Sequence, residues 1–384
     1  MHQTASVEGH LRLRAAAVAA AFFLNGFGFG SWAARIPAVQ AQTHLDDAGL
    51  GFALLGASVG AVLTMTVGGW LGGRYGSHVV TPIALIGCGL LEPVIGMSSN
   101  YLSLVGSLLA FGVCQGTMDV CMNANGLAVE RAGAGPIMSR LHATWSIASF
   151  VGALIGAQVA AMDIPVLPQF TAVGIVMVVA GVALFWLMLP DRHVGGGGLR
   201  LPTGPLALLG VLAMIGLLAE GSASDWSGIY LHRSLDASEG MAALAVATFS
   251  GSMAIARLAG DKLTQLIGPS LLVGGGAALS TVGLGLALGS AEPHAAIVGF
   301  GLMGLGLAAV VPTLFRAAGS QPGIPSSVGI AAVSTMGYGG GLIGPPIIGS
   351  LAGATSLREA LLLVFALLAF LAVAGRRVLG RPLS

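Results

Sequence analysis

The most regular feature of the sequence is a series of long apolar runs separated by short polar stretches. Each run has about 20 residues, the length that a helix needs to cross the hydrocarbon core of a bilayer. A backbone inside lipid must satisfy its own hydrogen bonds, and the period-two alternation of a β-barrel is absent, so the runs predict helices. We identify twelve of them, at residues 14–36, 51–72, 79–98, 102–129, 141–161, 170–190, 205–230, 241–259, 269–290, 294–315, 327–352 and 357–375.

The composition also indicates that the bilayer is the natural solvent of this chain. Its 384 residues are 55% hydrophobic and only 8% charged, with a mean hydropathy of +0.90. Soluble domains carry about 25% charged residues, so this much apolar surface does not fit into one water-soluble core. The three cysteines, Cys88, Cys114 and Cys121, all lie within apolar runs. They form no extramembrane pair and no metal-ligand spacing.

The distribution of basic residues predicts an orientation. If the N-terminus is cytoplasmic and the spans alternate, only Arg35, Arg233 and Arg358 of the 16 basic residues lie at the outer face. The positive-inside rule therefore favours cytoplasmic N- and C-termini. Four glycines, Gly195–Gly198, indicate a flexible cytoplasmic linker at 191–204. This linker divides the chain into an N-terminal six-helix unit at 1–190 and a C-terminal one at 205–384.

The two halves of the chain repeat one another. The first span contains NGFGFGSW (25–32) and the seventh contains EGSASDW (220–226), each with a polar residue and glycine in mid-span and a tryptophan about two turns later. The exits of the second and eighth spans, GWLGGRYGSH (69–78) and GDKLTQLIG (260–268), also correspond. The fifth and eleventh spans share a Gly-x-x-x-Gly, and three such matches at corresponding places indicate an internal duplication.

The repeat and its motifs resemble the major facilitator superfamily. In that family the loop after the second span reads Gly-x-x-x-Asp-Arg-x-Gly-Arg-Lys/Arg, and this chain keeps part of the motif in each half. The matching residues are Gly69, Arg74 and Gly76 in the first copy and Gly260, Asp261 and Lys262 in the second. The first copy lacks the acidic residue and the basic pair of the motif. The stretches NGFGFGSWAARIP, MDVCMNANGLAVE and LHATWS are similar to the bacterial MosC-like branch, which is distantly related to fucose-permease-type sugar carriers.

The resemblance implies a fold, a location and a mode of action. The expected fold is an all-α membrane protein with twelve transmembrane helices in two pseudo-symmetric six-helix bundles. The first, fourth, seventh and tenth spans of such a fold line a central cavity, and the bundles rock to give alternating access. The expected location is the bacterial cytoplasmic (inner) membrane.

Three carboxylates inside the spans are candidate proton-coupling residues. Asp119 is the only formal charge of the fourth span, and Asn123 lies one turn further on the same helical face. A charge at mid-span costs about 2.5–3.5 kcal/mol on insertion scales, so it indicates function by default. Glu220 and Asp225 form a second such pair in the seventh span. The alternatives are a helix-joining ion pair for Asp119 and a pair with Arg35 for Asp225.

Five polar or aromatic residues are candidate substrate-binding residues. Amides both donate and accept hydrogen bonds, which suits a hydroxylated ligand, and tryptophan rings could stack on a sugar or close an outer gate. The alternative interpretations are hydrogen bonds between helices and interfacial membrane anchors. The candidates are Asn25, Trp32, Asn123, Trp145 and Trp226. We interpret Glu92, near the outer end of the third span, as structural.

A third group of residues is expected to control conformation. Arg257, Asp261 and Lys262 are predicted to form an intracellular charge cluster. The fifth and eleventh spans each contain Gly-x-x-x-Gly, which allows close helix packing, and the family resemblance implies that these spans lie between the bundles. The full set is Arg35, Gly69, Arg74, Gly76, Gly152, Gly156, Arg257, Asp261, Lys262, Gly340 and Gly344.

The leading functional hypothesis is a proton-coupled secondary transporter, a symporter for a small polar solute such as a carbohydrate or polyol. The alternative is a proton-driven efflux antiporter for amphipathic compounds, which would have a larger and more apolar cavity. The sequence contains no His-Glu-x-x-His, nucleophile elbow or nucleotide loop, so it does not favour an enzyme. The expected partners are a small-molecule substrate, protons and the lipid bilayer, with no nucleic acid, cofactor or metal. We expect a functional monomer.

Overall fold

The chain is helical along nearly all of its described length. A computed structural model describes residues 2–134, 137–191, 205–321 and 326–380. The described residues form α1 (His2–Ala33), α2 (Ile36–Gln42), α3 (Asp47–Tyr75), α4 (Ser77–Gly96), α5 (Tyr101–Val129), α6 (Met138–Ala161), α7 (Val166–Leu187), α8 (Pro205–Ile229), α9 (Glu239–Gly289), α10 (Pro293–Leu307), α11 (Val310–Gly319), α12 (Ser326–Ala354) and α13 (Leu357–Leu379). Short π-helical turns follow α5 at Glu130–Ala134 and α8 at Tyr230–Ser234.

The predicted spans correspond to helices. Within the described residues, 11 stretches are long and apolar enough to cross a membrane. The remaining predicted span, 327–352, is α12, a helix of 29 residues. Glycines, serines and two adjacent prolines lower the hydropathy of α12, although its length is sufficient to span a bilayer. The predicted all-α membrane fold is therefore confirmed.

Two spans differ in detail from the sequence prediction. The eighth and ninth spans are joined in α9, which turns sharply at Gly268, where φ is +76°, just before Pro269. The tenth span is divided into α10 and α11 by a turn at residues 308–309. No glycine or proline interrupts the sequence at that turn, and Pro312 follows it by one helical turn.

The helices pack as two bundles with related architecture. In the first bundle α1 packs on α6, α3 on α5, and α4 on α7; in the second, α8 packs on α12 and α9 on α10 and α13. The turn after α3 is made by Gly76 with φ +95°, and Gly268 makes the corresponding turn in the second bundle. Such φ values are accessible to glycine at little cost, which explains why both copies end in this residue. Residues 192–204 of the predicted linker lie outside the part of the chain that the structure describes.

The bundles contact each other mainly through two helix pairs, α3 with α12 and α6 with α9, and to a smaller extent through α1 with α9 and α2 with α8 and α9. We call the end of the molecule that carries the start of α1 and the end of α13 the terminal face, and the other end the distal face. Near the distal face, small side chains of α1, α6 and α9 form a buried cluster. Its core members are Ala33, Ala34, Ala153, Ala157, Ala243, Val246 and Ala247. Small side chains let the backbones of the two bundles approach closely there.

The fifth and eleventh spans lie between the bundles, as the family resemblance implies, but their glycine pairs face helices of their own bundle. A Cβ atom added to Gly152 would lie 2.2 Å from the carbonyl oxygen of Phe27, and one added to Gly340 would lie 2.1 Å from that of Met214. Gly156 and Gly344 likewise face α1 and α8. Helices α6 and α12 do contact the other bundle, but with other sides. These four glycines therefore set packing distances within each bundle.

Candidate functional site

A cavity with polar side chains in a largely apolar wall lies between the two bundles. It consists of three adjoining spaces of about 340, 480 and 310 Å³, all of which are lined by Arg257 and Tyr338. Spaces of this size accommodate small-molecule ligands. The largest of them extends to Phe315 and Arg316 in the last turns of α11, and so toward the terminal face.

The cavity is closed toward the distal face by the alanine-rich cluster and by an ion pair between the bundles. Arg35, which follows α1, lies 3.8 Å from Glu239 at the start of α9. Its guanidinium also donates to Gln169 Oε1 at 3.0 Å and to the Ile164 carbonyl oxygen at 2.8 Å. Burial lowers the pKa of Arg35, and Glu239 opposes that shift. The predicted alternative, in which Arg35 pairs with Asp225, is therefore wrong.

A second ion pair joins the bundles at the distal face. Asp47, the first residue of α3, pairs with Arg233 in the π-helical turn after α8. Close backbone contact reinforces this junction, since a Cβ added to Gly353 of α12 would lie 3.0 Å from the Cβ of Ala48. The distal ends of the bundles are thus held together while the cavity extends toward the terminal face.

Asp119 lines the cavity, as the sequence predicts. Its partner is Asn123, whose Nδ2 donates to the Asp119 carbonyl oxygen at 2.8 Å and to Oδ1 at 3.2 Å. The two residues share one face of α5, which confirms the inference from their spacing. Among the described side chains, no basic group forms an ion pair with Asp119. A carboxylate without a cationic partner in a membrane cavity is suited to binding a proton or a polar ligand.

Asn25 connects three helices at the wall of the cavity. It exchanges two hydrogen bonds with Gln115 of α5, at 2.8 and 3.0 Å. Its Oδ1 also accepts a bond from Nε1 of Trp145 in α6, at 2.7 Å. Both atoms of the Asn25 amide are therefore engaged within the protein. Asn25 therefore forms hydrogen bonds between helices, which was the alternative interpretation of this residue. Its partners Gln115 and Trp145 line the cavity beside it.

Arg257 lines the cavity, and its predicted charge cluster with Asp261 and Lys262 stays a prediction. Its Nη2 lies 3.0 Å from Glu220 Oε1 of α8, and its Nη1 donates to Ser146 Oγ of α6 at 3.0 Å. Because Ser146 belongs to the first bundle, Arg257 joins the two bundles beside the cavity. The side chains of Asp261 and Lys262 lie outside the described part of the structure.

The three candidate tryptophans have different environments. Trp145 lines the cavity, with its ring centroid 5.4 Å from that of Phe29. Trp32 is only 6% exposed and packs on Phe170, and Trp226 is fully buried in the second bundle. Neither Trp32 nor Trp226 lines the three spaces described above. The prediction that they face the cavity is wrong.

Asp225 is separated from the other candidate proton-coupling residues. It lies five residues after Glu220 on α8, and it does not line the three spaces of the cavity. It forms no ion pair with any described basic side chain.

The loop motif after α3 lacks the acidic residue and the basic pair of the family motif. Hydrogen bonds hold this loop in position. Gly69 packs beside Val120 of α5, and the exposed Arg74 guanidinium lies over the ring of Trp70 at 5.7 Å. Gly76 makes the turn into α4, where Ser77 Oγ donates to the Asp191 carboxylate at 2.7 Å. The motif thus connects the start of α4 to the end of the first bundle.

Several residues of the site are not evident from sequence reasoning. Gln115 lies one turn before Asp119 on the same face, so its spacing could have identified it. Tyr338 lies in a glycine-rich stretch with no periodic pattern that indicates its direction. The turn at residues 308–309 lines the cavity, in accord with the rule that irregular backbone at membrane depth lines a cavity.

The fold and the site define a class of protein. Two pseudo-symmetric helical bundles around a cavity that is closed at one face form the architecture of an alternating-access carrier. The chain belongs to the Major Facilitator Superfamily, whose family profile matches residues 18–320. It is therefore a secondary transporter of the membrane.

Relatives and solved structures agree with this assignment. The chain is 35% identical to the uncharacterized transporter y4wD of Sinorhizobium fredii over 93% of this chain and 96% of the relative. It is 32% identical to the membrane protein MosC of Rhizobium meliloti, over 92% and 88% of the two chains. Among solved structures, the nucleoside transporter NupG superposes with a TM-score of 0.78 at 12% identity, over 95% of this chain and 99% of that one. An inward-facing bacterial homolog of the lysosomal transporter Spinster superposes with a TM-score of 0.75, also at 12% identity, over 95% and 96%.

Proposed function

We propose that this protein is a proton-coupled carrier of a small hydroxylated solute, with Asp119 as the principal proton-carrying group. The observation that carries the proposal is the position of Asp119 on the cavity wall without a basic partner among the described residues. Glu220, by contrast, is neutralised by Arg257 at 3.0 Å. An unpaired carboxylate is costly in a membrane when it is charged, so protonation stabilises the closed, dehydrated state of the carrier.

The lining of the cavity supports an uncharged, hydroxylated substrate. The serine hydroxyl groups of Ser149 and Ser250 can both donate and accept hydrogen bonds, whereas those of Ser146 and Ser224 donate to the carbonyl oxygens of His142 and Glu220. Trp145 and Tyr338 supply aromatic faces against which the apolar face of a sugar or cyclic polyol can pack. The positive charge of Arg257 is balanced by Glu220, so Arg257 does not provide an unbalanced cation for an anionic solute.

We further infer that the terminal face is cytoplasmic and that one chain forms the complete carrier. The excess of basic residues near the terminal face supports this orientation through the positive-inside rule. In that orientation the present conformation is open to the cytoplasm. Both bundles that enclose the cavity belong to one chain, which supports function as a monomer.

The proposal can be tested by transport into vesicles that contain the purified carrier. A panel of labelled monosaccharides and polyols is offered with and without an imposed pH gradient. We expect at least one of them to accumulate only with the gradient. We expect Asp119→Asn to abolish accumulation while equilibration down the solute gradient continues. Asp163→Asn, an exposed carboxylate between α6 and α7, is the matched control and should behave like the parent.

Two results would contradict the proposal. Accumulation by Asp119→Asn at the parental level would show that Asp119 does not carry the proton. Gradient-dependent movement of amphipathic dyes, with none of the sugars or polyols, would replace the proposed substrate class by the efflux alternative.

A further inference from the structure

One carboxylic acid is buried away from the cavity and has no partner. Glu92 of α4 is 0% exposed, and neither of its carboxyl oxygens has a hydrogen-bond partner within the described structure. The group lies between α1 and α7: a Cβ added to Gly28 would be 3.3 Å from Glu92 Oε1 and 3.2 Å from the sulfur of Met177. Because Gly28 has no side chain, it leaves space for the carboxyl group.

The surroundings of Glu92 contain no charge that could stabilise an ionised carboxylate. The titratable groups near it are thiols, Cys88 one turn away on α4 and Cys114 on α5. On α1 the nearest ionisable residue is Arg35, two turns beyond Gly28, and it is engaged with other groups. The facing part of α7 presents Met177. A buried, unpaired carboxylate is strongly disfavoured in such surroundings, so the group is neutral in this conformation.

A purely structural role does not explain this arrangement. Structural acids within membrane helices pair with basic groups or with polar backbone, whereas Glu92 has neither type of partner in the described structure. A buried polar group without a partner costs stability. A leucine or methionine of similar volume would pack among Gly28 and Met177 without that cost. The acid is therefore expected to gain its partner, or water, in another conformation.

The position of Glu92 indicates that this other conformation is the one in which the distal face is open. It lies one turn before Gly96, the last residue of α4 at the distal face. This face is now closed by the alanine-rich cluster and by the pair of Arg35 with Glu239. Alternating access requires the bundles to separate there, which brings water to the distal end of α1, the helix on which Glu92 packs at Gly28.

We propose that Glu92 is a second proton-binding site of this carrier. Its carboxyl group holds a proton while the distal face is closed and exchanges that proton with water when the distal face opens. The proposal rests on alternating access and extends the proposed proton coupling to a group outside the substrate cavity. It assigns to the first bundle an acid whose contact with water changes with the conformation.

Infrared spectroscopy of the purified carrier in lipid tests directly whether Glu92 holds a proton. Protons and deuterons are the only probes. All variants are made in a background with Cys88, Cys114 and Cys121 replaced by alanine. We expect a C=O band of a protonated carboxylic acid at neutral pH that is lost in Glu92→Gln. The matched control, Glu292→Gln, removes an exposed glutamate and should keep the band. A band of unchanged intensity in Glu92→Gln would show that Glu92 is ionised and would overturn the proposal.

The second measurement tests access to water. Ala48→Cys combined with Gly353→Cys places two thiols on adjacent backbones whose Cβ atoms would be 3.0 Å apart, so α3 and α12 must move apart by about 0.5–1 Å to reach the Cβ spacing of a disulfide. Oxidation should hold the distal face closed and slow the deuterium shift of the Glu92 band at least tenfold relative to the reduced form. Equal exchange rates in the two forms would refute alternating access to Glu92. Because no transport is measured, this result is independent of whether Asp119 carries protons.

Discussion

One guanidinium on the cavity wall forms bonds with side chains of both bundles. Arg257 binds Glu220 of its own bundle and Ser146 of the other, and both charged side chains are about three-quarters buried, with 24% and 21% of their surface exposed. Hydrogen bonds to charged groups contribute about 1.5–3 kcal/mol, more than surface ion pairs do. The pair is therefore expected to stabilise the conformation that is closed at the distal face.

The first prediction concerns this pair. Glu220→Gln and Arg257→Gln should each lower the free energy of unfolding by about 1–3 kcal/mol, because each leaves a partly buried charge without its partner. The double variant should lose clearly less than the sum of the two, since it leaves no charge behind. Thermal unfolding in detergent measures these changes, with Glu292→Gln as an exposed control. Additive losses in the double variant would show that Glu220 and Arg257 stabilise the protein independently.

Sequence reasoning identified some residues of the site and misplaced others for physical reasons. The spacing of Asp119 and Asn123 fixes their common face, whatever the rest of the fold does. The directions of Trp32 and Trp226 depend on how each helix is rotated within its bundle, and a mostly apolar helix carries little sequence signal of its rotation. The place of Arg257 on the cavity wall was likewise not predictable, because it depends on the rotation of α9 within the second bundle.

At the scale of helices, the glycine pairs explain how α12 approaches α8. The backbone of α12 at Gly340 lies so close to Met214 that a Cβ there would be 2.1 Å from the carbonyl oxygen. By contrast, a Cβ added to the neighbouring Gly339 would meet nothing within 4 Å. Adjacent glycines on one helix therefore provide a direct comparison between a packed and an open position.

The second prediction follows from that comparison. Gly340→Ala should lower the free energy of unfolding by about 1–3 kcal/mol, since α8 and α12 must separate to admit the methyl group. Gly339→Ala should have little effect or stabilise slightly, because alanine favours the helix. Both are measured by thermal unfolding of the purified protein. Equal stability of the two variants would show that α12 does not pack on α8 at Gly340.

The lengths of the helices were predictable, whereas their interruptions and the sides they present to neighbours were not. Bilayer thickness sets the length of each apolar run, so the bounds of the helices follow the hydropathy pattern closely. The turn between α10 and α11 has no glycine or proline at its centre and is stabilised by its place on the cavity wall. Helices α6 and α12 each contact both bundles with different sides. Which side contacts which bundle depends on packing between residues that are distant in sequence, and a local sequence pattern does not show it.

At the scale of the whole molecule, the two faces of the bundle interface are built from different chemistry. The distal face combines small apolar residues with exposed or partly exposed ion pairs, such as Arg35 with Glu239, whose acid is 41% exposed. Small flat surfaces and exposed ion pairs are individually weak, so such a junction can open without a large energetic cost. A third charged contact across the interface, the hydrogen bond of Arg257 to Ser146, lies instead at the cavity, where a substrate can alter it.

The third prediction tests whether separation of the distal face is part of the transport cycle. In a background without native cysteines, oxidation of Ala48→Cys/Gly353→Cys should join α3 to α12 and reduce pH-gradient-driven uptake into vesicles at least tenfold. Reduction of the disulfide should restore uptake, because the junction can then open again. The matched control is Ala34→Cys/Gly156→Cys, whose Cβ atoms are 2.8 Å apart but lie within one bundle. Its oxidation should leave uptake intact, since rigid-body movement of the bundles does not separate α1 from α6. Normal uptake by the oxidised α3–α12 variant would mean that the cycle proceeds without opening at this junction.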